Sequence, residues 1–96
     1  MDTEAKHIGL SMDTLTEARE AARALLEQLH LAAYLFEVEP RAELWEVRID
    51  CALVDGWQSA TIGVDIAQLL GSRADPAIRA RLLKEWRTRL AACKPA

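Results

Sequence analysis

Aromatic rings are scarce in this chain, 5% of 96 residues, and so are the residues that punctuate loops, with four glycines and three prolines. The glycines stand singly, which excludes a glycine-rich loop cradling phosphate. Only two histidines, His7 and His30, and two cysteines, Cys51 and Cys93, are present, none at ligand spacing from another. That excludes the common zinc and iron–sulfur motifs. No nucleophile elbow occurs either. Long apolar runs are also missing: no uncharged stretch, residues 28–36 included, exceeds nine residues, against about twenty needed to span a bilayer. Nor is there an excess of one charge. Twelve basic and fifteen acidic side chains leave a net charge of −3, so the whole-chain charge gives no sign of a nucleic-acid or membrane-surface binder.

What remains is one domain's worth of chain, 51% hydrophobic and 28% charged. A chain this short buries roughly 60–65% of its unfolded surface, enough for a single core. Residues 1–12 have no sustained period and read as a flexible lead-in to one α+β domain over 13–96. The amino-terminal run is polar and mixed in charge, with no apolar segment behind it, unlike a secretory signal. The expectation is a cytoplasmic protein with both cysteines reduced.

A helix is predicted from Thr14 to His30. Thr14 can cap it, with Glu17 three positions on completing a capping box. Leu15, Ala18, Ala22, Leu25, Leu26 and Leu29 then recur at three- and four-residue steps, one apolar stripe. The period next falls to two. Tyr34, Phe36 and Val38 alternate with Leu35, Glu37 and Glu39 until Pro40, and Trp45, Val47, Ile49, Cys51 and Leu53 alternate with Leu44, Glu46, Arg48, Asp50 and Ala52. Asp55-Gly56 is a strong hairpin signal, and the same period resumes over 57–66. If Asp55 and Gly56 form the turn, Val54 faces Trp57, Ala52 faces Ser59, Val47 faces Val64 and Trp45 faces Ile66. The inward pairs are then apolar throughout, and a slip of one residue would place the whole set in water.

Asp65 can cap a short helix ending at Gly71, and Asp75-Pro76 opens a last helix. Its inward stripe is Ile78, Leu82, Leu83, Trp86, Leu90 and Cys93. The predicted architecture is a two-layer α+β sandwich of order α-β-β-β-(short α)-α. A three-stranded antiparallel meander carries the helices on one face, over Phe36, Trp45, Val47, Ile49, Ile62 and Val64.

The even charge total hides a split: residues 1–66 carry net −8 and residues 67–96 net +5. On a helical wheel Arg81, Lys84 and Arg87 point in three outward directions, while Arg79 and Arg89 border the apolar stripe. A groove-tracking surface would gather its cations on one side. The helix–three-strand–helix order is similar to that of the double-stranded-RNA-binding domain, whose second helix opens on a lysine cluster. Here that place holds Asp75, Pro76, Ala77 and Ile78, with Arg79 the first cation. Nucleic acid is therefore not an expected partner.

Candidate chemistry is sparse. His30 ends a helix, where an imidazole can cap free carbonyls. Glu37, Glu39, Glu43, Glu46 and Asp50 lie on the outer face and loop, where carboxylates are solvated. No catalytic, cofactor-binding or metal-ligating residue is assigned, and no enzymatic activity is expected. Trp57 differs from the other tryptophans, for the register sets it on the uncovered face with Val54, Ala52, Leu44 and Leu35. Such a patch suits self-association or a protein partner, and the leading expectation is a non-catalytic interaction domain, a homodimer first. A small apolar-ligand carrier, with Phe36, Trp45, Ile49 and Trp86 lining a pocket between sheet and helices, is the second reading. A nucleic-acid-binding domain is the third.

Overall fold

The structure is a computed structural model that describes residues 12–96. The expected lead-in therefore lies outside the described residues except for Met12, as does His7. The elements run α1 (Met12–Leu29), β1 (Tyr34–Glu39), β2 (Trp45–Ala52), β3 (Trp57–Val64), α2 (Ile66–Gly71) and α3 (Pro76–Arg89). The strands form one antiparallel sheet in the order β1-β2-β3. The helices pack on one face, giving the predicted two-layer α+β fold.

Helix α1 begins two residues before the expected cap, so Thr14 lies in its first turn rather than ahead of it. Asp13 supplies the acidic first turn that the positive end of the helix dipole favours. Ala18, Ala21, Ala22, Leu25 and Leu26 are buried, and the small alanines let the helix lie close to its neighbours. His30 ends it in the left-handed region at φ 55°, a conformation His tolerates better than most non-glycine residues.

Strand β2 is the centre of the sheet, and its alternate residues Trp45, Val47, Ile49 and Cys51 are all buried. Their inward neighbours are Val38 on β1 and Ile62 and Val64 on β3. The hairpin pairs Trp45 with Val64, Val47 with Ile62, Ile49 with Ala60 and Ala52 with Trp57. This is two residues away from the register expected from an Asp55-Gly56 turn, so Val47 does not face Val64, and Ile66 is in α2. The physical reason lies in the turn. Only Gly56 takes a positive φ, +104°, whereas Asp55 does not, so the two mirror-image turn conformations are not both present. Val54 and Asp55 make the corner instead, with the Leu53 N–H donating to the Gly56 carbonyl at 2.8 Å. An even shift leaves every side chain on its expected face.

Both later helices start as their sequences predict. The Asp65 carboxylate accepts from the Gln68 N–H at 3.1 Å, and that of Asp75 accepts from the Ala77 and Ile78 N–H groups at 2.9 and 3.4 Å. Helix α3 buries Leu82 and Trp86 and stops at Arg89, short of the expected end near Cys93. The chain then turns, and the tail returns to the far end of the sheet. Lys94 N–H donates to the Ala52 carbonyl at 2.7 Å, Ala32 N–H to that of Lys94 at 2.8 Å, and Ala96 N–H to that of His30 at 2.8 Å.

This return corrects the expectation of two free thiols. Cys51 and Cys93 form a disulfide across a Cα–Cα distance of 5.7 Å. Cys51 lies near the end of the inward row of β2, and Cys93 follows the inward stripe of α3. Those two rows converge at the same end of the core. The expected burial of both residues is observed, but the default of reduced thiols fails against this proximity.

Candidate functional site

The face of the sheet away from the helices is built by the other parity of each strand. Across the sheet its rows read Ala52 and Trp57, then Leu35, Asp50 and Ser59, then Glu37, Arg48 and Thr61, then Glu39, Glu46 and Gly63. The structure brings Ala52 and Trp57 together as direct cross-strand neighbours, with Leu35 one row away. Trp57 is 58% exposed, Leu35 66% and Val54, at the turn, 89%. Leu35 and Trp57 border one shallow hollow with Asp50, Gln58 and Ser59. Leu44 does not join them. It leans over Gly63, where a Cβ would meet the Leu44 Cδ1 at 3.2 Å, six residue steps along β3 from Trp57. That is a separation of about 20 Å at 3.4 Å per residue. The patch therefore consists of Trp57, Leu35, Ala52 and Val54, and Leu44 is a separate apolar spot.

The charged groups beside the patch are partnered within the chain. Arg48 donates to Glu37 at 3.1 Å, and Arg41 reaches Glu39 at 2.9 Å and Glu46 at 3.3 Å. The Ser59 hydroxyl donates to the Asp50 carboxylate. Four carboxylates on one face would otherwise repel any similar surface, and these bonds offset that. Cross-strand pairing of this kind was not expected from the sequence, where charge alternation is visible but register is not.

The residues expected to line an interior pocket lie in the core or against it. Trp45, Ile49 and Trp86 belong to the buried core. Phe36 is half-buried, with the Arg23 guanidinium 5.6 Å from its ring centroid and the Tyr34 ring 6.4 Å away. None of the four described hollows is lined by any of these four residues. The buried Trp86 Nε1 has no hydrogen-bond partner.

Two cations of the basic half of the chain are bonded to backbone carbonyls. Arg79 donates to the Ser72 and Arg73 carbonyls at 2.9 and 3.2 Å, and Arg89 to the Thr61 carbonyl at 2.7 Å. Arg89 thereby ties α3 to β3. His30 is exposed at the helix end, its carbonyl held by Ala96. Among the described residues no group of three or more His, Cys, Asp or Glu side chains could hold a metal ion. No described helix is long and apolar enough to cross a membrane. Comparison of the chain with known protein families, curated proteins and solved structures finds no match.

Proposed function

We propose that the protein is a non-catalytic interaction domain that self-associates through the uncovered face of its sheet. The supporting observation is Trp57, 58% exposed beside Ala52 and Leu35, on a surface that no described helix covers. A two-layer domain working alone is best served by a polar outer face, whereas large aromatic anchors in apolar patches carry most of the energy of protein interfaces. A second copy is the partner of choice because the bordering carboxylates already hold their own donors. The same surface can then approach across a two-fold axis without unpaired charge.

Cytoplasmic residence belongs to this proposal; disulfides that persist belong to oxidising compartments, so a Cys51–Cys93 bond recovered fully formed from cells after alkylation of free thiols would contradict it. The test of self-association is solution mass across a concentration series. The wild type is expected at twice 10.7 kDa at high concentration, and Trp57→Glu as a folded monomer, because a carboxylate at the interface centre would be buried without a partner. A wild type that stays at 10.7 kDa at every concentration would contradict the proposal.

A further inference from the structure

We propose that Cys93 is a thiol-exchange site, at which a small anionic thiol opens the Cys51–Cys93 disulfide and releases the carboxy-terminal tail from the sheet. The site is independent of the self-association reading, since Cys51 is on the helix-covered face and Trp57 on the other. The two residues differ in access. Cys51 is 0% exposed, while Cys93 is 6% exposed and lines an open hollow with Leu29, Leu31, Arg87, Leu90 and Pro95. Arg87 and Lys94 are both exposed, one lining this hollow and the other following Cys93 directly. Their charge draws a thiolate towards Cys93, the more exposed residue of the pair.

Opening the bond has a defined structural consequence. Of residues 91–96, Cys93 alone is buried, so the disulfide is the tail's only anchor in the core. Beyond it the tail is held by the backbone hydrogen bonds linking Lys94 with Ala52 and Ala32, and Ala96 with His30. A short exposed segment with so few contacts does not offset the entropy of ordering it. The sheet and α3 keep their own buried residues, Val47, Ile49, Ile62, Leu82 and Trp86, whatever the state of the bond.

The incoming thiolate forms a new S–S bond to Cys93 as the Cys93–Cys51 bond breaks, and the electron pair leaves on Cys51, which takes up a proton. With a dithiol, the reagent's second sulfur then attacks its own bonded sulfur and expels Cys93 as a thiolate. The dithiol is oxidised by two electrons and the protein is reduced by two. With a monothiol the first step leaves a mixed disulfide on the sulfur attacked, and acid quenching traps it before a second monothiol, or the Cys51 thiol, displaces it.

The oxidised full chain is treated with glutathione under native conditions, quenched with acid and mapped by peptide mass spectrometry. Backbone hydrogen exchange is followed in parallel before and after treatment with dithiothreitol. The expected adduct is on Cys93, at a rate proportional to thiol concentration. After reduction the Ala32, Lys94 and Ala96 amides lose protection by at least about tenfold, while those of Val47 and Ile49 keep theirs. Cys93→Ser is expected to show the same pattern without reagent. An adduct on Cys51, a rate independent of thiol concentration that matches global unfolding, or tail amides still protected after reduction would each overturn the proposal.

Discussion

Gly56 has φ +104°, and a Cβ built on it meets nothing within 4 Å, so a side chain there meets a conformational cost and no steric one. Gly56→Val is expected to lower stability by about 1–2 kcal/mol, read as a shift of the urea midpoint at unchanged slope, with Gly56→Asn losing less. His30 presents the opposite case. It occupies the left-handed region at φ 55° with an exposed side chain, so removing that side chain forfeits little packing. The relief of about 1–2 kcal/mol exceeds the entropic penalty of glycine, about 0.5–1 kcal/mol. His30→Gly is therefore expected to raise the midpoint, and a lowered midpoint would show that the imidazole contributes more than its backbone costs. At this scale the sequence was partly legible. Asp55-Gly56 correctly marks where the chain reverses, but two adjacent residues do not reveal which of them takes the positive φ. Val54 thereby becomes a corner residue instead of a paired one.

Among the elements, α3 owes its start to a single side chain. Asp75 is its cap, accepting from Ala77 at 2.9 Å, and Asp75→Ala is expected to cost about 1 kcal/mol, measurable by the same denaturation. The starts of α2 and α3 were legible because capping is local chemistry, complete within three or four residues. Strand parity was legible for a similar reason: alternation assigns Trp45, Val47, Ile49 and Cys51 to one face whatever their partners. Register was not, because a shift by two keeps that alternation and pairs one apolar residue with another. The outer patch divides for a different reason. Leu44 shares a face with Trp57, but Glu46, Arg48 and Asp50 stand between Leu44 and Ala52 along the same row. That separation is already legible in the sequence and unchanged by the shift. The end of α3 was missed because its apolar period continues through Leu90 to Cys93 although the helical backbone stops at Arg89. The later residues of that stripe reach the core from a turn.

In the whole molecule, the disulfide ties the central strand to the end of the chain, 42 residues later. Closing a loop of that size stabilises the fold by about 4 kcal/mol on the chain-entropy account. The Cys51→Ala/Cys93→Ala double variant is accordingly expected to lose up to about that much, a large share of the 5–15 kcal/mol typical of a small domain. An unchanged midpoint would mean that the tail constrains neither state. The bond was hidden from the sequence because burial and pairing are different properties. Two inward stripes are legible separately, but their meeting at one end of the core depends on how the helix crosses the sheet. The same global geometry leaves one sheet face without a helix, with Trp57, Leu35 and Ala52 facing outward. Sedimentation or light-scattering mass of the wild type and of Trp57→Glu, over a range of concentrations, tests the resulting account most directly. It predicts a wild type that rises to twice 10.7 kDa and a variant that remains monomeric with its strand content intact. A wild type at 10.7 kDa throughout, or a variant that associates as well as the wild type, would contradict it.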